Sequence, residues 1–355
     1  MRALDLIHRW AGAVLGLVLA VLGLTGAVLV QKEAWIGLPH AGDAPTTDPV
    51  ALGQVTAGLL ASPASGDSLI YPGDRFGLLQ LRRADGSGFY ASQSGEVVAR
   101  WSDLWGRPEL WLFDLHHHLF AGETGEILSG IAGLAAVIFA LSGAVLWWRT
   151  RRTFRLRAWP SRLTLPALRW HHRDLGIVSA PLLVLTALTG AMLIFRPVAG
   201  VVLAPFGPSS AIASDLPAPT FVSAPLNPDV DLARIVRSAR AAFPGAQLRI
   251  LALPRKSGAP ITVRMKQDGE WLPNGRTTLW FDAGTGVLLA KRDAMTMHRV
   301  TRAFNAVFPI HAGKIGGWPY RLLLTFAGLA LTLLGTLATW SFLASRSRFR
   351  SPRRP

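Results

Sequence analysis

Four uncharged apolar runs dominate this chain of 355 residues: Trp10–Val30, Ile127–Trp148, Leu175–Phe195 and Leu322–Ser345. Each meets the length of about 20 residues that crosses a hydrocarbon core at about 1.5 Å per residue. In that solvent every backbone N–H and C=O has to be paired inside the protein, so the runs are restricted to helices. Half of the residues are hydrophobic and only 16% are charged. The mean hydropathy is positive at +0.32, which is not a soluble-domain profile. The first run is followed by no small-residue cleavage site of convincing form and has an internal copy, so it reads as a true span. The fold class is a membrane all-α bundle of four transmembrane helices in a lipid bilayer.

The internal copy is specific. His8 stands seventeen residues before Thr25-Gly26, and His172 stands seventeen before Thr189-Gly190. Two such helices in register point to an internal duplication that presents paired imidazoles in a membrane.

The net charge of +16 invites a nucleic-acid reading, but its distribution does not. Eight arginines and no acid lie in Arg149–Arg173, and five arginines lie in Arg346–Arg354. Both clusters flank apolar spans, as the positive-inside rule expects of cytoplasmic segments. The segment Gln31–Glu126 carries six basic and twelve acidic residues and belongs on the far side. The expected order is span one in 1–30, an outer β-rich module in 31–126, and span two in 127–148. A basic cytoplasmic linker in 149–168 leads to span three in 169–196. A second outer module in 197–319, span four in 320–345 and a basic tail in 346–355 complete it, with both termini cytoplasmic. There is no cysteine, which removes disulfides and iron–sulfur chemistry.

In the first outer segment, 39–66 reads as a loosely structured connection. Strand-like pieces follow at Gly77–Arg82, Gly88–Ala91 and Glu96–Arg100, with turns at Ala84-Asp85-Gly86 and Ser94-Gly95. In the second, Asp231–Phe243 has helical apolar spacing. Strand-like runs come next at Gln247–Leu253, Pro260–Lys266, Thr277–Asp282 and Val287–Lys291, with a tight turn at Asp282–Gly286. Two extracytoplasmic α+β modules are expected, the first smaller than the second. Asp5 reads as a cap for the first helix.

Several stretches together resemble the PepSY-associated transmembrane family of bacterial inner-membrane proteins. They are HRW at His8–Trp10, DLHHHLFAGETG at Asp114–Gly125, LSGAVLWW at Leu141–Trp148, WHHRDLG at Trp170–Gly176, both LTGA segments, and PIHAGKIGG at Pro309–Gly317. The region Asp231–Arg292 resembles a PepSY domain. The fourth span departs from the pattern, reading LLGTLATW. The resemblance implies ferric-siderophore reductases that hold haem among their helices.

Nine histidines are present, most of them at span ends. A haem in an electron-transfer centre takes two axial imidazoles from facing helices in an apolar slot. Adjacent helical residues diverge by about 100°, so His171 and His172 cannot face one iron together. Register with His8 favours His172. At the other mouth His118 precedes Ser142 by 24 residues, as His311 precedes Gly335, which favours His118 over His116 and His117. His116 stays in contention through the family's Leu-His step, and His117, His298 and Met192 are further candidates. Two haem b groups are expected, on His8/His172 and on His118/His311. Arg9, Arg169 and Arg173 are candidate propionate partners on the inner side, and Lys314 on the outer. Thr25-Gly26, Ser142-Gly143 and Thr189-Gly190 read as close-packing points. The triple histidine has neither an i, i+4 partner nor the glutamate of an HExxH motif, so catalytic zinc is set aside.

The resulting expectation is a dihaem reductase. It takes electrons from a cytoplasmic or quinol donor and reduces a ferric siderophore or other iron chelate in the periplasm. The second outer module has fourteen basic and seven acidic residues, which favours an anionic chelate. Two alternatives are a haem-free anchor whose PepSY module binds a periplasmic protein or peptidase, and a quinol-linked b-type cytochrome.

Overall fold

A computed structural model describes residues 2–156, 160 and 162–350, the last five by backbone alone. The arginine side chains of the basic tail and residues 157–159 and 161 of the basic linker lie outside the described residues. The chain divides into two units. One is helical, built from Met1–Gln31, Leu112–Gly200 and Ile310–Pro355; the other, from Lys32–Trp111 and Val201–Pro309, holds the strands.

In the helical unit the four apolar runs form helices Arg2–Val30, Gly122–Trp148, Leu165–Ile194 and Gly317–Arg350, each long and apolar enough to cross a membrane. They extend past the uncharged runs, so His8, His171 and His172 lie inside helices rather than in front of them. Asp5 is likewise inside the first helical turn and is not a cap. Span one packs on span four and span two on span three, and further contacts between spans three and four and between one and two close a ring. Glycine sets the tightest crossing. A Cβ on Gly16 would lie 2.6 Å from the Gly335 carbonyl oxygen, and one on Gly23 would lie 2.6 Å from that of Gly328. Small residues at such crossings let helix backbones meet where no hydrophobic effect drives them together. Large apolar side chains such as Ile7, Val14, Ile138 and Leu141 face outward, as lipid requires.

The strands form a single antiparallel sheet in the order β4-β3-β2-β1-β5-β6-β7-β8. Their ranges are β1 Ser68–Ile70, β2 Leu79–Arg82, β3 Gly88–Ala91, β4 Val97–Trp101, β5 Gln247–Ala252, β6 Ile261–Lys266, β7 Thr277–Phe281 and β8 Leu288–Arg292. The sequence reading expects two separate modules. The structure joins them through β1 and β5, with Leu69 opposite Leu251. Neither β1 nor this pairing is expected from the sequence, because three residues carry no readable period and the partner strand lies far along the chain. The predicted helix is present as Leu232–Ala242, capped by Asp231, whose side chain accepts from the Arg234 N–H. Ile235 and Val236 are fully buried on the sheet, each contributing about 1.5–3 kcal/mol over an exposed position.

A second helix, Pro49–Leu59, covers the same core and corrects the expectation of a loose connection in 39–66. Its start is encoded by Asp48 as N-cap and Pro49 at the first turn. The predicted turn at Asp282 is built on its carboxylate, which accepts from the backbone N–H groups of Ala224, Gly284 and Thr285. Those donors, the Ala224 N–H first, hold that carboxyl well below the usual carboxylate range.

Candidate functional site

The helical unit brings the histidines together in two pairs. His8 of span one and His172 of span three have ring centroids 6.4 Å apart, edge-on at 85°. Their neighbour His171 is fully buried and belongs to neither pair. Toward the opposite ends of the same spans, His116 and His311 lie with centroids 6.2 Å apart, tilted by 36°. Seventeen residues separate His8 from Thr25, which touches His116, so the two pairs are about 25 Å apart along span one.

His116 comes from the helix Pro108–His118, and His311 from Arg299–His311. The register with Ser142 favours His118, but the structure places His116 opposite His311. The relevant register runs from the start of the following span. His116 lies six residues before Gly122, and His311 lies six residues before Gly317. His118 is two residues on, about 200° around the helix, and bonds Asp114 instead. His117 stacks on Phe113, and its Nδ1 lies 3.0 Å from His118 Nε2. His298 belongs to the sheet unit and bonds Asp215 at 3.0 Å. Met192 is buried within span three.

Three of the four paired rings rest on a hydroxyl. The Thr25 hydroxyl donates to the Val21 carbonyl, so His116 Nδ1 is the donor in its 3.0 Å bond to Thr25 Oγ1. The Thr189 hydroxyl donates to Leu185, and His311 Nδ1 donates to Thr189 Oγ1 at 3.2 Å and to the Thr186 carbonyl at 3.0 Å. The Ser142 hydroxyl bonds the Phe139 carbonyl, and His8 Nδ1 donates to Ser142 Oγ at 2.9 Å. With Nδ1 holding the proton, Nε2 is left with its lone pair, the form in which a neutral imidazole ligates a metal. His172 differs. Its ring reaches the Leu334 backbone, and its Nδ1 is buried without a hydrogen-bond partner among the described residues.

Each hydroxyl is followed by glycine, and the glycines make room for the rings. A Cβ on Gly26 would stand 3.1 Å from His116 Cε1, one on Gly190 3.0 Å from His311 Cε1, and one on Gly143 3.5 Å from His8 Cε1. The Thr-Gly and Ser-Gly pairs, read from the sequence as packing points, are therefore the seats of the histidines. His116 and His311 lie outside the four spans in sequence. Burial pushes His116 down to about 3 and pushes His311 below its ordinary value, which keeps both rings neutral.

Beside His8 and His172 the helical unit has a half-open cavity of about 830 Å³. Its lining includes Gly12, Gly16, Phe139, Gly143, Gly176 and Leu334, together with Arg2, Arg9, Arg149, Arg169 and Arg173. The volume lies in the range that holds small-molecule ligands and cofactors. Arg173 is already engaged by Asp174 and Thr153, whereas among the described residues Arg9 has a long 3.8 Å contact with Asp5. Arg9, Arg169 and Arg173 all line this space.

Comparison with known proteins settles the family: the sequence model of the PepSY-associated TM region matches residues 6–344, nearly the whole chain. The chain belongs to the PepSY-associated transmembrane family. This PepSY-associated protein is a membrane protein, with four apolar helices of spanning length. No curated protein matches it. Sequence reasoning passed over the helices Pro108–His118 and Arg299–His311, which carry the second pair, and also Asp114 and Glu126 beside the histidine run. The Asp114–His118 spacing of four was the readable signal and corrects the reading that the triple histidine has no i, i+4 partner.

Proposed function

We propose that the two histidine pairs hold two haem b groups and that the protein carries electrons across the bacterial inner membrane to a ferric chelate outside. The observation that carries this reading is the meeting of imidazoles from different helices, twice, at 6.4 and 6.2 Å. His8, His172, His116 and His311 would hold the haems, which when bound would supply reversible one-electron transfer.

The residues of the chain do the rest. Ser142, Thr25 and Thr189 hold three rings in the ligating tautomer. Glycines at 12, 16, 143 and 176 leave the His8/His172 cavity open, and most of its lining is apolar. Arg9 and Arg169 offer positive charge to acidic substituents of a ligand there. The arginine clusters in 149–173 and 346–354 favour a cytoplasmic position for the termini and this pair, where a soluble or quinol donor delivers electrons. The outer segments then lie in the periplasm, and the excess of basic residues in 197–319 favours an anionic ferric siderophore as acceptor.

The test is reoxidation. Protein in detergent, reduced by dithionite and freed of excess reductant, is mixed with a ferric siderophore. Loss of the reduced haem bands with one ferrous ion formed per electron supports the reading. Reduced bands that persist with the chelate overturn the reductase assignment. A colourless preparation, made with haem supplied during expression, leaves a membrane anchor for the sheet unit.

A further inference from the structure

A second group of metal-ligating side chains lies next to the His116/His311 pair but outside it. His117, His118 and Glu126 each offer a ligand atom within 4.8 Å of the others, and all three are partly buried. His118 Nδ1 sits 2.8 Å from Asp114 Oδ1, so that nitrogen carries the proton and Nε2 keeps its lone pair. His118 Nε2 lies 3.0 Å from His117 Nδ1, with which it shares a hydrogen bond, and His117 Nε2 lies 4.0 Å from Glu126 Oε1. The His117 ring thus stands between the other two side chains and has one nitrogen to give to an ion. A carboxylate behind a ligating histidine is the recurrent outer partner of metal sites, and Asp114 occupies that position.

The backbone is bent to make this meeting. Leu119 and Phe120 have φ of +50° and +57°, a region that large side chains rarely adopt. The turn reverses the chain between the histidine run and the next span. A Cβ on Gly125 would strike the His118 carbonyl oxygen at 1.5 Å, so only glycine fits there. The Ser129 hydroxyl closes the turn on the His117 carbonyl at 3.0 Å. The first turn of span two thereby sets Glu126 against His117. The glutamate that no HExxH motif supplies arrives from the next helix.

We infer that His117, His118 and Glu126 form a binding site for one divalent first-row transition cation, with Asp114 orienting His118. Two imidazoles and one carboxylate suit zinc or ferrous iron over calcium or magnesium, which prefer oxygen donors. The site is independent of whether haem occupies the histidine pairs, because neither His116 nor His311 contributes to it.

The full-length protein in detergent, stripped with chelator and desalted, is titrated with zinc chloride by calorimetry, and bound zinc per chain is counted by elemental analysis. One zinc per chain is expected, with proton release on binding. Glu126→Gln and His117→Ala remove the binding, Asp114→Asn weakens it by about 10–100-fold, and His298→Ala leaves it unchanged. Size-exclusion profiles identical to wild type show that the conservative Glu126→Gln and Asp114→Asn chains are folded. No saturable zinc binding by the wild type, or equal binding by folded Glu126→Gln, overturns the site.

Discussion

The two histidine pairs share a ring spacing and differ in how they are held. His116 and His311 each rest on a Thr-Gly seat, with the glycine within about 3 Å of the ring by its missing Cβ. His8 rests on Ser142, but His172 has no hydroxyl partner among the described residues, and the pair borders a large cavity. Position explains the difference. Counted from the first residue of each span, Leu337 and Ala338 of span four stand where Ser142 and Gly143 stand in span two. The departure read in LLGTLATW is thus the missing fourth seat. Thr336, beside it, is exposed and turns its hydroxyl to the Thr332 carbonyl. One end of the bundle is preorganised and tight, and the other is open.

The largest test of this contrast is steric. Gly190→Val puts a branched side chain against His311 and is expected to abolish cofactor binding at that pair, halving the haem per chain. Gly143→Ala, with 3.5 Å available, keeps both. Equal losses in the two variants would erase the distinction. Ser142→Ala comes next. It removes the hydroxyl partner of His8 and should weaken binding at that end by about 10–100-fold. Thr189→Val should cost less, since His311 keeps its bond to the Thr186 carbonyl. Competition with apomyoglobin for haem measures both.

Gly16→Val addresses the crossing of spans one and four at the cavity wall. Overpacking against the Gly335 backbone should lower stability by about 1–3 kcal/mol, read by thermal unfolding in detergent, and should perturb only the His8/His172 end. The smallest effect is expected from Leu337→Ser, which offers His172 the missing hydroxyl. A hydrogen bond of about 0.5–1.5 kcal/mol should slow haem loss from that end, and faster loss would show that the seat is not the difference.

Much of this was legible in the sequence, for physical reasons that differ by element. The spans follow from length and apolarity alone, and the preference for His172 over His171 from its register with His8. The choice between His116 and His118 was not legible from the spacing to Ser142, because the anchoring point is the start of the span. That start is set by the Leu119–Phe120 turn, whose left-handed backbone no residue type there announces. The Pro49–Leu59 helix was hidden by a composition of Pro, Ala and Gly, although Asp48-Pro49 marks its start. The single sheet rests on β1 meeting β5, a contact between distant segments that local periodicity cannot carry.

The central claim is that two imidazole pairs each hold one haem, and counting haem per chain tests it most directly. A pyridine haemochrome assay on purified protein, expressed with haem supplied, should give two haems per chain for the wild type. It should give one for His172→Ala, one for His311→Ala and none for the double variant. No haem in the wild type, or two in the double variant, would contradict the account.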